Sequence, residues 1–194
     1  MLNKIVLASK SEVRKEILLK HGISCHVEPS NVDEEPVKQS LIKEGATPEI
    51  ISKNLAELKA NKVSLKKKDE IVLGADSVID LEGKIISKPK NREEALEILK
   101  KLNGKHHFLI SSVCLSKNGR MIWHYSDKAK LTMKNFEISD LKDYLVRITD
   151  KALYAYNVYQ IEGVGKELFL KIEGNENTIM GLPVEKIKEY LKNL

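Results

Sequence analysis

Asp76 follows the apolar run Ile71-Val72-Leu73 and a glycine, a place where α/β sheets present ligand-binding groups. A carboxylate there can hold a divalent cation or orient an attacking water, and it can equally be a turn aspartate bonded to its own backbone. Near the N-terminus, "KIVLASKSEVRKEILL" (4–19) sets an apolar run against Ser9 and Ser11 and then a helical pattern carrying Arg14 and Lys15. Ser9 and Glu12 fit the capping box S-x-x-E, which by itself accounts for the junction. A second account adds that helix-start amides and the positive dipole end attract phosphate, which Arg14, one turn in, can grip in a bidentate way. Glu34 in "VDEEP", Lys59 on a regular helix and Lys88 before a proline are each ordinary charged residues when read alone.

The elements that must position these groups alternate between strand and helix, which predicts a layered α/β fold rather than a bundle or sandwich. Residues 4–8 read as a strand, followed by a helix that stops before Gly22; residues 24–28 read as a second strand. Pro36 marks a turn or the first position of a helix, and Thr47-Pro48 opens a longer helix running through Val63. In "EIVLGADSVIDLEGKIISKP" the segments "SVIDL" and "KIIS" pair as a hairpin. The reading is a three-residue loop, Leu81-Glu82-Gly83, with a glycine bulge. That register sets Asp80 opposite Lys84 and Asp76 opposite Lys88, on one sheet face.

Residues 93–102 form an amphipathic helix ended by Asn103-Gly104, and 106–116 with 121–133 make a long hairpin around Asn118-Gly119. Ser139-Asp140 caps a helix to about Val146, "YNVYQIEGVG" reads as loop and short strand, "LFLKIEG" as a strand, and Pro183 begins a final helix. No repeat or low-complexity linker divides the chain, so one domain over 1–194 is expected.

Composition bounds the function. At 42% hydrophobic and 31% charged, the 194-residue chain is neither disordered nor membrane-spanning, and can bury a core. The opening residues carry no apolar signal region, so a cytoplasmic setting is expected. Cys25 and Cys114 lie in apolar surroundings without metal or redox spacing and read as reduced core residues; adjacent His106 and His107 face opposite sides of a strand, against a metal cluster. Lys and Arg outnumber Asp and Glu 33 to 28, a net charge of +5 that suits an anionic partner. Nucleic-acid binders concentrate their charge and interleave it with aromatics, which here are 5% of residues; Lys66-Lys67-Lys68 is followed by Asp69 and Glu70 and reads as a solvated helix end. There is no GxxxxGK[ST], GxGxxG or G-x-S-x-G motif, so the residues alone reach an acid and base cluster suited to a metal-bound polyphosphate.

In order and spacing the segments resemble the Maf family of nucleoside triphosphate pyrophosphatases nearly end to end. "LASKSEVRKEILL" resembles its LAS-x-S-x-x-R signature, "NVDE" its acidic loop and "LAELKA" its L-A-x-x-K-A helix. "VLGADSVI" is similar to its G-A-D-[ST/Q]-V strand end, "ISKP" to its K-P hairpin end, and "YQIEGVGKELFLKIEGNENTIMGLPVEKI" to its closing segment. The resemblance implies a mixed sheet with flanking helices in two lobes around a cleft, as in inosine triphosphate pyrophosphatase-like folds. It also implies a hydrolase acting on acid anhydrides that converts a nucleoside triphosphate to monophosphate and pyrophosphate with Mg²⁺ or Mn²⁺. The family is associated with removal of nonstandard nucleotides and arrest of cell division, and often with a homodimer.

Carried over residue by residue, the resemblance makes Asp76 the general base and Arg14, Lys59 and Lys88 the polyphosphate-binding cations. Ser9 and Ser11 match the signature serines, and Glu34 with Asp76 matches the metal-holding acids. Two departures bear on the base. The basic pair after the serines is shifted to Arg14-Lys15, with Val13 first, and Glu162 stands where the pyrimidine-preferring branch has glutamine; both resemble the branch that prefers 7-methyl-GTP. The rival readings are a basic nucleic-acid-binding module and an inactive regulator that keeps the nucleotide pocket. Neither a stable nucleic-acid partner nor a membrane is expected.

Overall fold

The computed structural model describes residues 4–150, 153 and 157–194. The chain forms two compact units, each assembled from separated stretches: 1–78, 110–128 and 175–194 make the first, and 79–109 with 129–174 the second.

In the first unit β1 (Ile5–Leu7) is buried along its whole length, as a strand covered on both faces must be. It pairs in parallel with β2 (Cys25–Val27) on one side and with β3 (Val72–Leu81) on the other. Parallel neighbours need crossover helices, supplied by α1 (Glu12–Lys20) between β1 and β2, and by α2 (Glu34–Lys43) and α3 (Pro48–Ser64) between β2 and β3. Thr47 caps α3 by accepting from the Ile50 amide at 3.3 Å, with Pro48 in the first turn, as the sequence predicts. Pro36 lies inside the first turn of α2 rather than opening it, since the helix already begins at Glu34. The core joins Ile5, Leu7, Leu18, Leu73, Leu115 and Ile187. A short helix, α6 (Glu176–Ile179), precedes α7 (Val184–Lys192), which Pro183 introduces; α6 is not foreseen from the sequence.

The second unit holds β4 (Lys84–Ile86), antiparallel to the end of β3, then α4 (Arg92–Leu102), α5 (Ile138–Arg147), a 3-10 turn (Val164–Leu168) and β7 (Phe169–Glu173). β5 (His106–Lys117) and β6 (Arg120–Met133) pass through both units, and the strands pair in the order β2-β1-β3-β5-β6-β7, with β4 on β3. Their tight turn is Asn118-Gly119, both at positive φ (51° and 80°), as expected. His106 is exposed and His107 buried, also as expected; His107 meets Tyr159 at 2.8 Å, and burial pushes its pKa down to about 4, so it is neutral. Cys114 is buried and Cys25 half-buried, both as free thiols.

Three expectations are corrected. The β3–β4 hairpin turns on two residues, Glu82 and Gly83, at φ 55° and 80°, and pairs Leu81 with Lys84 and Asp80 with Ile85. Two left-handed residues match the twist of the flanking strands, and Asp80 Oδ1 accepts from the Gly83 amide at 2.8 Å, which holds the tighter loop. The bulged register that was to set Asp76 opposite Lys88 is not formed. Second, α5 is capped at Glu137, two residues before Ser139: Asp140 Oδ2 accepts from the Glu137 amide at 3.2 Å, and the helix starts at Ile138. Third, residues 157–163 carry no strand; they are turns leading into the 3-10 segment, while Tyr154, Ala155 and Tyr156 lie outside the described residues.

Candidate active site

Ser11, not Ser9, is the N-cap of α1: its Oγ accepts from the Arg14 amide at 3.3 Å. A capping box needs its acid three places after the cap, and with the helix opening at Glu12 that place is Arg14. Glu12 points to solvent and pairs with Lys15 at 3.6 Å. Ser9 is freed for another task, accepting from the Ser11 amide at 3.2 Å and from Arg14 Nη1 at 3.4 Å.

Arg14 leaves α1 for the middle of β3. Nη1 donates to the Ala75 carbonyl at 2.9 Å, Nη2 to Ser77 Oγ at 3.2 Å, and Nε to the Gly181 carbonyl at 3.0 Å. With Ser9, these four bonds use four of the five guanidinium hydrogens, leaving one on Nη2 without an acceptor among the described residues. Desolvation draws the Arg14 pKa below the usual guanidinium value, while Asp76 and Glu34 pull it back up.

Asp76 is 6% exposed, on β3 two residues past Gly74. Gly74 brings α3 against this strand: a Cβ there would stand 2.2 Å from the Ala56 carbonyl oxygen and 2.7 Å from the Ala60 nitrogen. The close approach delivers Lys59, which is 7% exposed. Its Nζ donates to Asp76 Oδ1 at 2.7 Å and reaches Glu34 Oε1, at the start of α2, at 3.0 Å. From the same helix Ser52 donates to the Asp76 carbonyl at 3.1 Å. Asp76 Oδ2 is buried and has no partner among the described residues. Burial pushes the Asp76 carboxyl above the ordinary aspartate value; Lys59 and Arg14 pull the other way, and Glu34 adds to the rise.

The structure thus gathers Ser9, Ser11, Arg14, Glu34, Lys59 and Asp76 in the first unit. Lys88 and Glu162 belong to the second. Lys88 lines a groove of about 330 Å³ with Ser87, Glu94 and Lys101, and Glu162 is exposed in the turn before the 3-10 segment. Sequence reasoning missed Ser52, Ser77, Gly181 and Ser111, whose Oγ meets Ser77 Oγ at 2.8 Å. Ser77 and Gly181 lie inside quoted segments, "GADSV" and "MGLP", so their signal was present; Ser52 and Ser111 carry none.

Among the described residues no group of three or more His, Cys, Asp and Glu is placed to hold a metal by itself. The pair Asp76 and Glu34 still fits a magnesium-type ion, which takes one or two carboxylates and completes its shell with phosphate and water oxygens. Both carboxylates meet the same Lys59 ammonium, Asp76 at 2.7 Å and Glu34 at 3.0 Å, so they stand together as such an ion requires.

A parallel α/β unit that gathers two carboxylates, a buried ammonium and an anchored guanidinium around the middle of one strand defines an α/β protein with a charged, largely buried site. The comparisons narrow this. The model of the family described as Maf-like protein matches residues 4–194. A "Nucleoside triphosphate pyrophosphatase" of Pelagibacter ubique is 71% identical over 192 residues, covering 99% of this chain and 98% of its own. A "7-methyl-GTP pyrophosphatase" of Brucella abortus is 39% identical, covering 95% and 92%. Among solved structures a HAM1 protein from Coxiella burnetii shares the fold at a TM-score of 0.51 and 14% identity, over 100% of both chains. The chain belongs to the Maf-like protein family.

Proposed function

We propose that this chain is a nucleoside triphosphate pyrophosphatase, with Asp76 as general base. Water attacks the α-phosphorus, the bond between that phosphorus and the α–β bridging oxygen breaks, and the nucleoside monophosphate and pyrophosphate leave. The observation that carries the reading is the Asp76 carboxylate, anchored through Oδ1 on Lys59 at 2.7 Å while Oδ2 has no partner among the described residues. One oxygen fixes the group and the other can take a proton from water. Burial raises its pKa, which makes it a stronger base than a solvated aspartate.

Lys59 and Arg14 supply positive charge in a desolvated place, where it acts on a polyphosphate far more strongly than in water. Ser9 and Ser11 order the turn that carries Arg14. Asp76 with Glu34 would hold Mg²⁺ or Mn²⁺, which when bound neutralises charge on the phosphates. Lys88 and Glu162 are proposed to contribute to substrate binding on the strength of their motif positions. Glu162 and the shifted pair Arg14-Lys15 support a preference for 7-methyl-GTP, in line with the name of the Brucella relative.

The reading carries with it one catalytic domain over 1–194, a cytoplasmic setting and a homodimer. Among the described residues no helix is long and apolar enough to cross a membrane. The decisive experiment incubates the protein with 7-methyl-GTP, pyrimidine triphosphates and standard triphosphates in Mg²⁺ or Mn²⁺ and measures pyrophosphate. Release from at least one substrate, lost in Asp76→Asn, is expected; no release from any, or release unchanged in Asp76→Asn, overturns the reading.

A further inference from the structure

The hydrogens around Arg14 run in one direction. Ser111 Oγ is fully buried and donates to the Thr178 carbonyl at 2.8 Å, and a carbonyl can only accept. A serine has a single hydroxyl hydrogen, so the bond between Ser111 Oγ and Ser77 Oγ, also 2.8 Å, must be donated by Ser77. Ser77 then has only lone pairs left for Arg14, whose Nη2 donates to it at 3.2 Å. The order is guanidinium to Ser77, Ser77 to Ser111, and Ser111 to the Thr178 carbonyl.

The chain of bonds ends on the turn that also holds Arg14 directly. Gly181, three residues past Thr178, accepts from Arg14 Nε at 3.0 Å. That turn is tied in place by Thr178 Oγ1, which donates to Asp127 Oδ2 at 2.7 Å. It also packs closely: a Cβ on Gly181, at φ 94°, would lie 3.1 Å from Ser77 Oγ and 3.4 Å from Arg14 Nε. Without the hydrogen bond from Ser77 to Ser111, the Ser77 hydroxyl can rotate and present its hydrogen to the guanidinium instead of a lone pair.

We propose that Ser111 is a positioning residue for Arg14: acting through Ser77, it fixes the guanidinium so that one Nη2 hydrogen remains available to a phosphate oxygen of the substrate. The phosphate half of this inference rests on the pyrophosphatase reading; the relay itself does not.

The test compares wild type with Ser111→Ala and Ser77→Ala, which break adjacent links, after melting curves establish that each is folded. In nitrogen-labelled, ligand-free protein, NMR measures rotation of the Arg14 guanidinium about Nε–Cζ, with Arg14→Lys giving the assignment. Rotation should be slow in wild type and several-fold faster in both variants, a change that a general loss of packing does not produce selectively at Arg14. The kcat/KM for pyrophosphate release should fall about tenfold, the scale of one hydrogen bond to a charged group. Unchanged rotation in the folded variants overturns the relay, and faster rotation with unchanged kcat/KM overturns its role toward phosphate. If wild type releases no pyrophosphate, the proposed function fails, while the rotation still decides the relay.

Discussion

Lys59 and Asp76 meet at 2.7 Å with side chains that are each only 8% exposed. Removing one member of a buried pair leaves the other as an uncompensated charge, whose effect is about 3–5 kcal/mol. Lys59→Met should therefore lower the unfolding free energy by roughly that amount at pH 7, read from urea denaturation. Without the ammonium Asp76 takes up a proton more readily, so the gap between variant and wild type should narrow as pH falls. A loss below about 1 kcal/mol at pH 7, the range of exposed ion pairs, would show that the pair is solvated.

The ionisation of Asp76 itself is the second prediction. Desolvation outweighs Lys59 and Arg14, so the folded pKa lies above the ordinary aspartate value of 3.8. A raised folded pKa means that the fold binds the proton more tightly than the unfolded chain does. The stability gained from protonation is full below the unfolded value and is lost as pH rises through the folded one. An NMR titration of the Asp76 carboxyl in ligand-free protein should have its midpoint above 3.8. A midpoint at or below the ordinary value contradicts the assignment of burial as the dominant influence.

Neutralising Asp76 should cost far more activity than altering Glu12, although both are acids of the first unit. Asp76→Asn keeps the shape and removes the base, with an expected loss of at least ~10²-fold in kcat. Glu12 is exposed and pairs with Lys15 on the surface, so Glu12→Ala should change kcat less than about twofold. Comparable losses in the two variants would remove Asp76 from the centre of the chemistry.

The course of β1, α1, α3 and the Asn118-Gly119 hairpin was legible in the sequence because each is specified locally, by an apolar run, a cap or a pair of left-handed turn residues. Asp76, Lys59 and Glu34 were legible as residues through the family resemblance, but their mutual contact was not, because it depends on α3 reaching β3 across seventeen positions of chain. The predicted partner of Asp76 was Lys88, an inference from hairpin register that failed by one residue: Asp80 bonds the Gly83 amide and tightens the loop. The sequence offers Arg14 as a bidentate grip for phosphate, whereas in the fold most of its hydrogens are committed to Ala75, Gly181, Ser77 and Ser9. Carbonyls contributed by distant backbone leave no trace in side-chain spacing, and Ser111 carries no local signal for the same reason.

Gly74 is where this long-range geometry can be tested directly. The atoms that a Cβ at this position would meet first, the Ala56 carbonyl oxygen at 2.2 Å and the Ala60 nitrogen at 2.7 Å, are backbone, and the Ala60 methyl follows at 2.9 Å. Backbone cannot rotate out of the way, so Gly74→Ala must push α3 off β3, which moves Lys59 and Ser52 away from Asp76. The expected result is a loss of stability at the upper end of overpacking, about 3 kcal/mol or more, together with loss of pyrophosphate release in whatever fraction stays folded. Shaving the facing methyl separates the causes. Because the tightest contacts are to backbone, Ala60→Gly should fail to rescue Gly74→Ala, in stability by urea denaturation and in activity alike. Restoration of both by the double variant would show that the methyl alone sets the spacing, and that helix and strand can approach without the glycine.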